Sequence, residues 1–225
     1  MPNFWTYITN GKYSVGCTEQ TVYIYKNGDE AAKFKDLTYV GGAEISPDSK
    51  LVAVKTTDGR LAVYSLEEMK LLKKFRFSKF DAAQDGGFCF SADSKYFINS
   101  ENHGDGFERC LSVYETESFT LVERLFYGRD MYISQIEYDE KFDSYFVLGI
   151  SYRKFRRNKY FAAELKDDEL KNTTDIKEKE YRFYDKFKCL EKSGFTPKKY
   201  RWSYMDESLE ELSSQERKIS DLIKR

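Results

Sequence analysis

An all-β chain assembled from repeated four-stranded antiparallel units is the fold class this sequence predicts, and three observations predict it. A five-residue turn motif recurs at a fixed spacing. Asn-Gly and Asp-Gly pairs sit between short apolar runs. Eighteen Tyr and 18 Phe stand against only three Pro in 225 residues, a composition that suits pleated, half-buried surfaces on which aromatic side chains pack against cross-strand neighbours.

The spacing is the strongest of the three, because a fixed period changes the meaning of every strand. Ser46-Pro47-Asp48-Ser49-Lys50-Leu51 returns as Ser91-Ala92-Asp93-Ser94-Lys95-Tyr96, 45 residues on, and Gly41-Gly42 returns as Gly86-Gly87 at the same separation. Leu61-Ala62-Val63-Tyr64-Ser65 answers Leu111-Ser112-Val113-Tyr114-Glu115 at a separation of 50. The five extra residues fall in Asn102-His103-Gly104-Asp105-Gly106, a turn-rich segment expected to lengthen a loop without disturbing the strands on either side.

Each unit then reads in order. In the first, about 1–38, Phe4 to Thr9 is a strand, Asn10-Gly11 a turn, Tyr13 to Cys17 a strand, Thr21 to Tyr25 a third, Asn27-Gly28 a turn and Ala31 to Phe34 a fourth. Asn-Gly and Asp-Gly suit the two positive-φ positions of a type I′ hairpin. In the second, about 39–80, a Pro47-Asp48 turn leads to the strand Leu51 to Val54, an Asp58-Gly59 turn to Leu61 to Tyr64, and a last strand runs through Leu71-Leu72-Lys73-Lys74-Phe75. The third covers about 81–128. A more eroded fourth, about 129–176, opens at Met131-Tyr132-Ile133-Ser134, turns between Asp139 and Asp143, runs from Tyr145 to Ile150 and returns through Tyr160 to Ala163.

The Ser-Pro-Asp-Ser-Lys turn and the Val-Tyr strand after Asp-Gly resemble WD40-type and related β-propeller repeats. Departures accompany the likeness: no Trp-Asp dipeptide occurs, Tyr64-Ser65 and Tyr114-Glu115 stand where it is expected, and no Gly-His dipeptide precedes the first strands. The resemblance implies a small or incomplete β-propeller of four to five four-stranded antiparallel blades over 1–205, since a seven-bladed ring at this period needs roughly 300 residues. The aromatic tail 177–205, with Tyr181, Phe183, Tyr184, Phe187, Phe195, Tyr200, Trp202 and Tyr204 among lysines and arginines, is expected to supply a further partial blade or to cover an edge, with an exposed binding surface as the alternative. An open array that pairs with another chain is the alternative, because exposed terminal edges invite pairing.

The segment 206–225 reads as a C-terminal amphipathic α-helix of about 16 residues. Ser208-Leu209-Glu210-Glu211 has the form of a capping box, Leu209, Leu212, Ile219, Leu222 and Ile223 share a stripe, and Lys224 and Arg225 suit the negative end of the helix dipole. The stripe must be buried, against the chain's own blade edge, a partner or a second copy.

Charge and chemistry narrow the function classes. Lys plus Arg number 37 and Asp plus Glu 38, so no global field directs the protein to a polyanion or an anionic membrane. The N-terminus lacks the basic and apolar regions of a signal peptide, and no stretch approaches the length of a membrane span, which leads to the expectation of a cytoplasmic protein with no membrane partner. Cys17, Cys89, Cys110 and Cys189 show no CxxC spacing, and the first three lie in strand patterns as small buried hydrophobes. His103 is the sole histidine. With Asp105 it suggests a turn that could meet a partner, but one carboxylate and one imidazole do not make a metal site. No Walker-type or GxGxxG loop is present, no nucleophile stands beside a plausible base, and Asp167-Asp168-Glu169 is read as a solvated turn. No catalytic residue, cofactor or metal is therefore assigned.

The strongest local feature is Tyr152-Arg153-Lys154-Phe155-Arg156-Arg157-Asn158-Lys159-Tyr160, a basic hairpin tip with interleaved aromatics. Such a run is read first as a solvated hairpin, then as a contact for an acidic protein surface and, less readily here, for phosphates and bases. The expectation is a non-enzymatic protein-protein interaction module, with an inhibitor or immunity-type role as a sharper version. Its contacts are Tyr152, Arg153, Lys154, Arg156, Arg157 and Lys159 of the hairpin, His103 and Asp105 of the inserted loop, and Leu212, Ile219 and Leu222 of the C-terminal stripe. A homodimer through an exposed blade edge or the helix is a further expectation. A carboxylate-dependent hydrolase or lyase at a propeller channel, and a nucleic-acid binder through 152–160, remain open alternatives.

Overall fold

The computed structural model describes residues 2–75, 87–103, 108–128, 132–151, 159–171, 188–189 and 219–223. Their strands form four four-stranded antiparallel sheets, each following chain order from one edge to the other, and they divide into two compact units of two sheets each.

The first unit holds β1 (Thr6–Thr9), β2 (Tyr13–Cys17), β3 (Val22–Lys26) and β4 (Asp29–Phe34), followed by β5 (Val40–Ile45), β6 (Leu51–Thr56), β7 (Leu61–Ser65) and β8 (Lys70–Phe75). The β3–β4 connection is the expected tight turn, with Asn27 at φ 53° and Gly28 at φ 89°. Alternation along each strand sends Tyr13, Val15, Cys17, Val22 and Ile24 of one sheet and Val52, Val54, Ala62 and Tyr64 of the next into one apolar core.

The second unit holds β9 (Phe88–Phe90), β10 (Tyr96–His103), β11 (Glu108–Glu115) and β12 (Leu121–Gly128), then β13 (Tyr132–Asp139), β14 (Ser144–Ser151), β15 (Lys159–Leu165), the short helix α1 (Asp167–Lys171) and β16 (Lys188–Cys189). Cys89, Ile98, Leu111 and Val113 pack with Ile133, Ile136, Tyr145, Val147 and Leu165. The two sheets approach so closely that a Cβ on Gly87 would lie 2.4 Å from Gln135 Cα. The second glycine of the Gly86-Gly87 landmark is therefore a packing requirement.

The repeat is reproduced atom by atom in its turns. Ser46 Oγ donates to Asp48 Oδ1 at 2.7 Å, Asp48 Oδ1 accepts the Lys50 N–H at 3.1 Å, and Leu51 N–H donates to Ser46 Oγ at 2.9 Å. Ser91, Asp93, Lys95 and Tyr96 make the same three bonds at 2.7, 3.1 and 2.9 Å. Ser49 and Ser94 take φ of 61° and 60°, while Met69 and Phe119, 50 residues apart, take 51° and 54°. Side-chain bonding from Ser and Asp holds a left-handed position that a non-glycine residue otherwise avoids.

Three expectations change. The inserted residues lengthen strands as well as a loop: β10 and β11 have eight residues each where β6 and β7 have six and five, because Asn102 and His103 continue the ladder opposite Arg109 and Glu108. The fourth strand of the last sheet lies beyond 129–176, at Lys188–Cys189 in the tail. Asp167-Asp168-Glu169 opens α1 and is not a plain turn; acids there favour the positive end of a helix, and Glu169 Oε2 accepts the Lys166 N–H at 2.8 Å. Of the helix expected over 206–225, the described residues form a 3-10 turn, Ile219–Leu222.

Candidate functional site: hairpin ends and a seated C-terminal turn in the second unit

The strands decide where the loops flagged by the sequence emerge. His103 is the last residue of β10, opposite Glu108, and Lys159 is the first of β15, opposite Ser151. Both pairs close a hairpin between the second and third strands of a sheet. Ser100, three residues before His103, donates from Oγ to the Ile133 carbonyl at 2.8 Å in the buried interior, and Ile133 in turn pairs with Gly149, two residues before Ser151. The bond therefore joins the two sheets near the turn end of each hairpin, so both turns leave from the same end of this unit. Asp105, Tyr152, Arg153, Lys154, Arg156, Arg157 and Leu212 lie outside the described residues.

One face of the β9–β12 sheet carries a polar network that the sequence reading missed. Alternation places Asn99 and Glu101 of β10 beside Cys110, Ser112 and Tyr114 of β11. Glu101 is buried. Its Oε1 accepts from Ser112 Oγ at 2.5 Å and from the Tyr114 hydroxyl at 3.0 Å; its Oε2 accepts from the same hydroxyl at 3.0 Å and from Asn99 Nδ2 at 3.0 Å. Arg124, opposite Ser112 on β12, keeps its Nε buried without a partner. Burial, reinforced by Glu101, raises the Tyr114 hydroxyl above its usual value, and burial pushes the Cys110 thiol up to about 12. A thiol that holds its proton this firmly is no nucleophile at neutral pH. Among the described residues, no group of three or more His, Cys, Asp or Glu could hold a metal ion, and no helix is long and apolar enough to cross a membrane.

The opposite side of the second unit carries the C-terminal turn. Ile136 of β13 belongs to the core between the two sheets, so Gln135, Glu137 and Asp139 point to the other face, level with Ser144, Phe146 and Leu148 of β14 and with Ala162 and Glu164 of β15. Ile219 is fully buried there against Phe146, Leu148 and Ala162, with Phe142 and Ile223 packed alongside. Glu137 Oε1 accepts the Ile219 N–H, and Ser220 Oγ donates to Asp139 Oδ2 at 2.5 Å. Of the three stripe residues taken as partner contacts, Ile219 thus meets its own chain, and Leu222 ends the same turn. The signal for this seat is present in the sequence as the alternation of Gln135, Glu137 and Asp139 with Ile136 and Tyr138, but nothing local pairs it with Ile219.

No protein-family model and no curated protein matches the chain. Among solved structures the chain is similar to hydrazine synthase of Kuenenia stuttgartiensis, with a TM-score of 0.53 and 16% identity over 72% of this chain and 53% of that one. The chain thus matches about half the length of that protein. The likeness shows the fold alone, a propeller-like all-β arrangement of four-stranded antiparallel sheets.

Proposed function

We propose that the chain is a non-enzymatic protein-protein interaction module of WD40-like type, acting in the cytoplasm as an inhibitor or immunity-type protein that binds and neutralises one partner with an acidic surface. The observation that carries this reading is the Ser100 to Ile133 bond, which brings the turn ends of the β10–β11 and β14–β15 hairpins to the same end of one unit. Loops raised from a rigid sheet stem are where binding residues concentrate, and the sequence puts Arg153, Lys154, Arg156, Arg157 and Lys159 on one of these two hairpins. Basic side chains at such a rim speed encounter with an acidic partner and make binding salt-sensitive. The WD40-like assignment is supported by the twin Ser-x-Asp-Ser turns, which share three side-chain hydrogen bonds at the same distances.

Purification of the tagged protein from its native source in mild salt tests the reading. A stoichiometric protein partner with an acidic surface is expected, lost when Arg156→Glu and Arg157→Glu are introduced together and when salt is raised. Recovery of the same partner by the charge-reversed variant would remove the basic hairpin from the interface. Nucleic acid in place of protein, with a salt slope that the reversal reduces, would move the function to the other binding class.

A further inference from the structure

The seat of the C-terminal turn has the construction of a peptide-binding site. The sheet beneath it is complete: β13, β14 and β15 satisfy one another along seven paired positions on either side of β14, and nothing in their pairing depends on Ile219. The turn is held by one apolar side chain sunk among Phe146, Leu148 and Ala162, by Ile223 at the margin, and by two hydrogen bonds to β13 carboxyl groups. The turn belongs to the same chain as the seat, and covalent linkage gives it a high local concentration there. The face also has capacity left over. Gln135 is 5% exposed, its Nε2 donates to Glu137 Oε2 at 3.2 Å, and its Oε1 is buried with no hydrogen-bond partner. A buried acceptor left unmet is destabilising, and a ligand bringing one more donor would relieve it.

We propose that the Gln135, Glu137, Asp139, Phe146, Leu148 and Ala162 face is a docking site for a turn of the pattern apolar-hydroxyl-x-x-apolar, which the chain's own Ile219-Ser220-Asp221-Leu222-Ile223 occupies as an exchangeable plug. The partner class is a peptide segment that presents a free backbone N–H at the buried apolar residue, a hydroxyl one position later, and a second apolar side chain three positions after that. Glu137 and Asp139 read the first two features, and the Phe146, Leu148 and Ala162 surface reads the apolar ones. Whereas the hairpin rim depends on basic residues, this site depends on acids and apolar surface, so the two are separable.

The test uses the full-length chain with Ile219→Asp, which ejects the plug by placing a carboxylate in an apolar pocket, and a fluorescein-labelled peptide with the sequence of residues 217–225. The expected result is saturable binding to the variant, at least tenfold tighter than to the wild-type chain, whose tethered turn competes. The same peptide carrying Ser220→Ala should bind the variant several-fold more weakly. Equal affinity for variant and wild type, or no binding to a variant whose circular dichroism matches the wild type, would overturn the proposal. Should Ile219→Asp fail to fold, the chain carrying Ser220→Ala replaces it: a several-fold gain in peptide binding over wild type supports the exchangeable plug, and no gain overturns it.

Discussion

In the β5–β8 sheet Tyr64 stands opposite Val52, and in the β9–β12 sheet Tyr114 stands opposite Phe97, the same place in two copies of one repeat. Their hydroxyls meet different ends. Tyr64 is fully buried among Val52, Val54 and Ala62, its ring 4.5 Å from that of Phe34, and its hydroxyl has no partner. Tyr114 spans both oxygens of Glu101. The difference arises one residue pair away, where Val54 and Ala62 of the one sheet become Asn99 and Ser112 of the other, and at the strand end, where Thr56 becomes Glu101. The repeat determines where a side chain points, while its neighbours on the same face determine whether its polar atom is an asset or a cost.

Breaking the comparison at its strongest point gives the largest effect. Glu101→Ala would remove the buried carboxyl that accepts from Tyr114, Ser112 and Asn99, and breaking a buried polar contact costs about 1–3 kcal/mol each, so chemical denaturation should show a loss above about 3 kcal/mol. Thr56→Ala at the matching position removes a hydroxyl that accepts the Arg60 N–H at 3.0 Å, and should cost about 1 kcal/mol. A loss at Glu101 no larger than at Thr56 would deny the network its role.

The two tyrosines supply the sharpest contrast, because the same substitution should change sign between them. Tyr114→Phe removes a hydroxyl whose one proton is shared between both oxygens of the Glu101 carboxyl and should destabilise by about 1.5–3 kcal/mol, whereas Tyr64→Phe removes a buried, unpartnered hydroxyl and should be neutral or stabilise by about 1 kcal/mol. Paired thermal and urea melts of the two variants decide it. Where the copies agree, so should their variants: Asp48→Ala and Asp93→Ala each delete the same pair of turn contacts, and each should cost about 1 kcal/mol. A clear inequality between them would mean that the turns differ in energy despite their matched geometry.

The pH dependence should not separate the units, and near neutrality it is the smallest effect. Cys17 in the first unit and Cys110 in the second are each pushed by burial from 9.0 up to about 12. Unfolded thiols release their protons at lower pH than the native ones, so the native state holds more protons between these values and stability falls as pH rises from 9 toward 12; below 9 the contribution is complete. Melting temperature followed from pH 8 to 11 should be flat at first and then decline, and the decline should be shallower when both cysteines are replaced by alanine. A flat profile to pH 11 would contradict the burial of both thiols.

Much of the molecule was legible in the sequence because short-range chemistry specifies it. Asn27-Gly28 requires two positive φ values and has them, and Ser46-Asp48 closes its own turn through side chains two residues apart. Apolar alternation in Tyr13-Ser14-Val15 sets strand and face together, with Tyr13 and Val15 in the core. Less was legible at the site. Asn102 and His103 have the composition of a loop, yet the ladder continues through them because Arg109 and Glu108 are there to pair. The acids Glu137 and Asp139 look like solvated strand residues until Ile219 and Ser220 arrive from 82 and 81 residues away, and Glu101 looks equally ordinary until Ser112 and Tyr114 lie across from it.

Interactions within a few residues or across one hairpin set the repeat: four units, their turn chemistry, and the alternation that assigns each side chain to a face. Tertiary structure alone decided which polar groups would be satisfied. The fourth sheet takes its last strand from Lys188–Cys189, and Ile219 and Ser220 fill the face of β13 to β15. Those pairings depend on chain segments distant in sequence, whose meeting is driven by burial of apolar surface and carries no local signature.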